Sequence, residues 1–280
     1  MALLHVSYMS QALWRVVPLQ VILPADKADT QGNLLPLKPY KTLYLLNGLH
    51  GCEEDWIVNT RIRSWAEQHN LCVVMPAGEN SFYVDNVDSH NCYCEFIGSE
   101  LVEMTRRMFP LSHKREDTFI GGLSMGGFGA ILAGLKYHET FGAIVGLSSA
   151  VHVFEGQEHT TEALRAFGEA IFGETKKAKA SDMNPRVVMD KLLKLKKEKP
   201  ETELPDIFMA IGTEDWLLNS NRLYKKLFED GGFNLKYIEA PGDHNWDFWD
   251  TYIKEAIEWL PLDEKMEGMG SGNIASDAAK

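Results

Sequence analysis

Four cysteines in 280 residues are too few to staple a disulfide scaffold. No uninterrupted apolar run approaches the ~20 residues a membrane-spanning helix requires, so no membrane partner is expected. Positive charge is scarce as well. Against 40 Asp and Glu stand only 28 Lys and Arg, a net charge of −12. Neutralising phosphates takes a clustered positive surface, so nucleic acid is not an expected partner either. The opening Met1-Ala2-Leu3-Leu4-His5 has no basic region, and Ser7 already breaks its apolar stretch, so the chain is expected in the cytoplasm.

What is present is ordinary for a soluble globular protein: 45% hydrophobic and 24% charged residues. The first forty residues alternate apolar and polar side chains and read as strands of an antiparallel ribbon. Thr42-Leu43-Tyr44-Leu45-Leu46 is different, a nearly continuous apolar run of the kind buried on both faces of a parallel sheet. Similar runs recur at 71–75, 118–120, 141–147 and 207–211, with a shorter one at 235–238. Helix-period segments alternate with them, at 61–69, 94–109, 125–137, 216–229 and 245–260. The alternation predicts an α/β fold with a mostly parallel central sheet flanked by helices. Residues 150–203 depart from the rhythm, with helical candidates at 161–172 and 185–197. They read as a small helical cap inserted over a site. The Gly-, Ser- and Ala-rich end, 263–280, reads as a flexible tail after one domain over 1–262.

The chemistry is concentrated in Gly122-Leu123-Ser124-Met125-Gly126. A strand precedes this Gly-x-Ser-x-Gly and a helix of small and apolar residues follows, the context of a nucleophile elbow. The turn lifts a serine hydroxyl above the sheet edge and sets it at a helix N-terminus, whose free N–H groups favour developing negative charge. A glycine-rich packing turn is the alternative, and the partners argue against it because they follow in order. A serine needs a base. His244 comes after the last strand and before the last helix; His50, His90 and His152 rank behind it. The base needs an acid to fix its tautomer, and Asp215 follows directly on the strand 207–211, with Glu214 competing on position. The order Ser124, Asp215, His244 is the one an elbow serine takes. Two backbone donors must face the oxyanion: the N–H of Met125 and one from the loop Asn47-Gly48-Leu49-His50-Gly51, with Leu49 the best placed. His50, Trp56 and Trp216 are candidates for the walls of a substrate pocket. His90-x-Cys92-x-Cys94 is followed by no second cluster at ligand spacing, so no metal is expected.

These blocks resemble the putative-esterase branch of the α/β-hydrolase superfamily, which holds tributyrin-type, cinnamoyl and acetyl esterases and the esterase D group. The resemblance runs over 45–51, Glu53-Glu54-Asp55-Trp56, Ser81-Phe82-Tyr83-Val84-Asp85, 119–130, Gly212-Thr213-Glu214-Asp215-Trp216 and 242–249, about residues 40–260 in all. It implies the α/β-hydrolase fold and a serine carboxylesterase that works without cofactor. The expected substrates are small-molecule esters with short acyl (acetyl or butyryl) or hydroxycinnamoyl groups. Relatives often carry His-Gly where this chain has Asn47-Gly48, so the side chain supporting the oxyanion loop differs. The motif does not separate esters from thioesters, which keeps an S-formylglutathione-type thioesterase as the alternative. A ligand-binding homologue without turnover is a further one, and a homo-oligomer stays open.

Overall fold

The structure is a computed structural model that describes residues 1–155, 162–262 and 266–269. Its strands are β1 (Ala2–Ser10), β2 (Arg15–Leu23), β3 (Thr42–Leu46), β4 (Cys72–Pro76), β5 (Asp85–Asn86), β6 (Asn91–Cys92), β7 (Thr118–Leu123), β8 (Ala143–Leu147), β9 (Asp206–Gly212) and β10 (Leu235–Ala240). Among the described residues, eight of them form one sheet in the order β1-β2-β4-β3-β7-β8-β9-β10, and β5 and β6 make a separate ribbon. From β4 to β10 every neighbouring pair is parallel. The expected ribbon is β1 and β2, which enter antiparallel and join the sheet through β4.

The continuous apolar runs become β3, β4, β7 and β8, in which every residue is buried. Helices cover both faces. One face carries α1 (Asp55–Asn59), α2 (Ile62–Gln68) and α10 (Trp246–Trp259), packed through Trp56, Trp65, Trp249 and Ile253. The other carries α3 (Tyr93–Glu95) and α4 (Leu101–Met108), then α5 (Met125–Lys136), α8 (Pro185–Glu198) and α9 (Leu218–Asp230). Between α3 and α4 the backbone widens into a π-helical turn, Phe96–Glu100. The plain helix expected over 94–109 gives way there for two reasons. Gly98 leaves room for the Tyr137 ring, and Glu100 turns to accept hydrogen bonds from Ser10, Gln11 and Ala12.

The interval 150–203 divides in two. Helices α6 (Glu162–Phe172) and α7 (Thr175–Lys179) precede α8, which buries Val188, Met189 and Leu192 against the core beside α5. Contrary to the reading as a cap throughout, α8 belongs to the layer flanking the sheet, because its apolar stripe needs a buried partner. Phe172, ending α6, reaches Phe82, Phe128 and Phe154. Of the tail expected to be flexible, Met269 bridges to Ala28 and Glu267 pairs with Lys38 at 2.6 Å. The rest of that expectation, 263–265 and 270–280, lies outside the described residues. Among the described residues no helix is long and apolar enough to cross a membrane.

Candidate active site

The chain runs from β3 to β4 on one side and then to β7 on the other. Strand order therefore reverses beside β3, where such sheets open a crevice at their C-terminal ends. Ser124 follows β7 at that crevice. Its φ of +53° and ψ of −116° are unusual for a residue with a side chain. The surroundings over-determine this conformation. The Ser124 N–H donates to Leu147 O at 2.9 Å, and its carbonyl accepts from Phe128 and Ala150 at 3.0 and 2.9 Å. The motif's glycines are required by contact. A Cβ on Gly122 would lie 2.5 Å from the Gly126 backbone, and one on Gly126 would lie 2.5 Å from Leu46 O.

His244 sits in the turn between β10 and α10, where Asn245 caps the helix by accepting from Phe248 N–H. Its Nε2 is 3.0 Å from Ser124 Oγ, and its Nδ1 is 2.9 Å from Asp215 Oδ2. The Trp249 ring meets the imidazole edge to face at 5.0 Å. Asp215 is buried, and its Oδ1 accepts from Leu217 N–H at 2.9 Å. Burial pushes this carboxyl up, but hydrogen bonds from His244, Leu217 and Ser148 outweigh it and hold it below the ordinary carboxylate range. The carboxylate therefore accepts a hydrogen bond from the Nδ1–H and leaves the Nε2 lone pair toward the serine hydroxyl. Glu214 points elsewhere, accepting from Gly242 N–H and the Thr213 hydroxyl.

The loop after β3 lies beside the elbow because Leu46 pairs with Gly122 across the ladder. Among the described residues neither the Leu49 N–H nor the Met125 N–H has an acceptor, so both remain open to a developing oxyanion. Asn47, the departure from the family pattern, is buried and braces this loop. Its Nδ2 donates to Gly48 O at 2.9 Å, and its Oδ1 accepts from Gly78 N–H at 2.9 Å. The Tyr83 hydroxyl lies 3.0 Å from that Oδ1 and 3.1 Å from Asn47 O. Burial pushes the Tyr83 phenol well up, so it stays a donor. Asn80 pins the far side of the loop by accepting the His50 N–H at 2.8 Å. The next segment touches the elbow too, since Phe82 N–H lies 3.4 Å from Met125 Sδ.

The three aromatic wall candidates separate. Trp56 is corrected: it is 1% exposed and donates its indole N–H to Leu46 O, so it braces the end of β3 from within the core. His50 is exposed on the loop. Trp216 is 62% exposed and stands 5.7 Å from the His244 ring and 5.0 Å from that of His152. Burial, aided by nearby His244, pushes the His152 imidazole down to about 4. His90, the metal candidate, stacks on Trp14 at 3.6 Å. Beside the oxyanion loop opens a cavity of about 230 Å³ whose walls include Asn80, Ser81, Asn86, Asn91 and Ile171. Sequence reasoning placed Asn47 as the side chain supporting the oxyanion loop without its partners, and it missed the roles of Ser148 and Tyr83.

A family described as "Putative esterase" matches residues 10–260. An acetyl esterase of Caldicellulosiruptor saccharolyticus is 38% identical over 93% of this chain and 98% of its own. The crystal structure of an S-formylglutathione hydrolase from Staphylococcus aureus superposes with a TM-score of 0.77 at 30% identity, covering 92% of this chain and 98% of that one. A ferulic acid esterase, at 18% identity, shares the fold with a TM-score of 0.74 over 92% of this chain and 96% of its own. A family match across most of the chain and a relative at this identity establish that the protein belongs to this esterase family and is a carboxylic ester hydrolase of the α/β-hydrolase fold.

Proposed function

We propose that the protein is a serine carboxylesterase in which Ser124 is the nucleophile, His244 the base and Asp215 the acid that orients it. The observation carrying this reading is the unbroken chain Ser124 Oγ, His244, Asp215 Oδ2 at 3.0 and 2.9 Å. His244 Nε2 takes the Ser124 proton as Oγ attacks the ester carbonyl carbon. The tetrahedral oxyanion accepts from the N–H groups of Leu49 and Met125. The C–O bond to the alcohol breaks, and His244 returns the proton to the leaving oxygen. Water, deprotonated by the same nitrogen, attacks the acyl-Ser124; the carboxylic acid departs and the serine regains its proton.

The proposed substrates carry short acyl groups, acetyl or butyryl, or a hydroxycinnamoyl group. The relative named acetyl esterase supports the first, and the exposed Trp216 beside His244 offers an aromatic surface for the second. The amide- and hydroxyl-lined cavity beside the oxyanion loop suits a polar alcohol moiety. A thioester reading is favoured by one observation, the relative named S-formylglutathione hydrolase. The test is hydrolysis of p-nitrophenyl esters from acetate to octanoate, and of S-formylglutathione, by wild type and Ser124→Ala. Turnover highest on acetate or butyrate and abolished in the variant supports the esterase. Turnover confined to the thioester supports the second reading. Binding of an ester without turnover, unchanged in the variant, refutes both.

A further inference from the structure

We propose that Asn221, one turn into α9, is a positioning residue for the reaction, given Ser124, His244 and Asp215 in the roles proposed above: its amide ties the loop that steadies the nucleophile to the loop that carries the acid. Asn221 is fully buried, and its Nδ2 donates to Ser149 O at 2.9 Å and to Leu217 O at 3.0 Å. Both partners are carbonyls, which only accept, so the amide faces them in one orientation alone.

Each carbonyl belongs to a residue beside the chemistry. Ser149 lies in the loop after β8, between two residues that act on the triad. Ala150 donates its N–H to Ser124 O at 2.9 Å, and Ser148 hydrogen-bonds the Asp215 carboxylate. Ser149 itself is pressed against the first turn of α5, where a Cβ on Gly127 would come 3.0 Å from its Cα. That turn opens with Met125, one of the two oxyanion donors. Leu217 lies in the loop after β9 and gives its own N–H to Asp215 Oδ1 at 2.9 Å. The backbone ladder between β8 and β9 ends where Ser148 N–H meets Ala210 O. Beyond it, the Ser148 hydroxyl and the Asn221 amide connect the two loops.

Stability alone does not call for an amide here. Asparagine is a poor helix former, and burying it costs hydration. The compensation is incomplete, because Asn221 Oδ1 has no hydrogen-bond partner among the described residues. Nor do the two carbonyls depend on it. Ser149 O also accepts from Val151 N–H at 2.8 Å, and Leu217 O from the Asn221 backbone N–H at 3.1 Å. Leucine, of similar branched shape, would leave neither acceptor unmet and would cost the fold little. What the amide adds is geometry: it fixes the acid's loop against the nucleophile's.

The test compares wild type, Asn221→Leu, Asn221→Ala and Ser124→Ala in thermal melts and in p-nitrophenyl acetate hydrolysis across the pH range, with rates counted per active site by titration. Expected for Asn221→Leu is a Tm within about 4 °C of wild type, kcat lowered ~10-fold and KM within about twofold, because misaimed groups weaken the transition state and not substrate binding. The acidic limb of the pH–rate profile should move to higher pH. With Leu217 N–H and the Ser148 hydroxyl less well aimed, Asp215 becomes more basic and holds the His244 imidazolium more tightly. Asp243 accepts the His244 backbone N–H, and His152 stays neutral down to about 4, so neither supplies that shift. Asn221→Ala, which adds no bulk, must show the same loss and the same shift, and it decides alone if the leucine variant does not fold. An unchanged kcat in a folded variant overturns the proposal. So does a lowered kcat with an unmoved limb, the mark of a structural role only. Turnover surviving in Ser124→Ala removes the triad reading and the proposal with it, whereas an inactive Ser124→Ala beside unaffected Asn221 variants removes the proposal alone.

Discussion

Replacing Asn47 by alanine should separate the bracing of the oxyanion loop from the chemistry at Ser124. The side chain is 1% exposed and makes three hydrogen bonds, to Gly48 O, from Gly78 N–H and from the Tyr83 hydroxyl. Truncation does not cost all three equally. The Tyr83 hydroxyl keeps Asn47 O at 3.1 Å as an acceptor, whereas the buried Gly78 N–H loses its only acceptor among the described residues. Leaving one buried donor unmet costs about 1–3 kcal/mol, and the lost bond to Gly48 O adds about 1 kcal/mol. At roughly 2–4 °C per kcal/mol for a chain of this size, Tm should fall by about 4–16 °C. The Leu49 N–H two residues on then loses its fixed aim. Removing an oxyanion donor outright costs about 10²–10³ in kcat; a loosened one should cost about 10–100-fold, with KM little changed because the contact forms in the transition state. Steady-state hydrolysis of p-nitrophenyl acetate, well below the variant's Tm, reads both constants. A kcat within twofold of wild type alongside the fall in Tm would refute the argument, since the loop would then hold its aim without Asn47.

The two acids after β9 should behave oppositely: Asp215→Asn should lower kcat by about 10⁴, while Glu214→Gln, which does not touch His244, should lower it less than tenfold. A reversed ranking would move the acid's role to Glu214. Ser148→Ala removes one donor to Asp215 and the acceptor of the Trp249 indole N–H at 3.1 Å. It should lower kcat about tenfold and move the acidic limb of the pH–rate profile to higher pH; an unmoved limb would count against Ser148 as a positioning residue. His152 supplies a stability signature. As pH falls below 6.5 the unfolded chain protonates this ring, while the folded chain resists until about 4, so its contribution is present above 6.5 and lost between those values. That loss is about 3 kcal/mol. Chemical denaturation at pH 7 and pH 4.5 should show a smaller difference in His152→Gln than in wild type, and equal differences would contradict the burial argument.

Where a signal is local, the fold and site were legible. β3, β4, β7 and β8 announce themselves as apolar runs because both faces are covered, and the elbow because its serine and both glycines fall within five residues, although the contact that requires Gly126 is with Leu46 on the neighbouring strand. Asp215 and His244 could be found because each follows a strand directly, so the end of the strand fixes where it stands. That position 47 supports the oxyanion loop was legible from the resemblance, but its partners Gly78 and Tyr83 were not, since they lie 31 and 36 residues away. Ser148 was hidden likewise, its link to Trp249 spanning 101 residues. Trp56 misled because an aromatic side chain near a site reads the same whether it lines the opening or holds up the strand beneath it. The decision rests on its bond to Leu46 O. α8 misled by its place in an insert; what ties it to the sheet is the burial of Val188, Met189 and Leu192 against the core.

Asn80 has a consequence for anyone who would retune this enzyme. It belongs to the cavity wall, and it also holds the His50 N–H in the oxyanion loop. The cavity wall and the loop that carries the Leu49 N–H are therefore tied through one side chain, so a change at Asn80 alters both. Ile171 forms part of the same wall from α6, with no hydrogen bond to the loop. A change on the α6 side reshapes the cavity without touching that bond, whereas a change at Asn80 removes the acceptor of the His50 N–H.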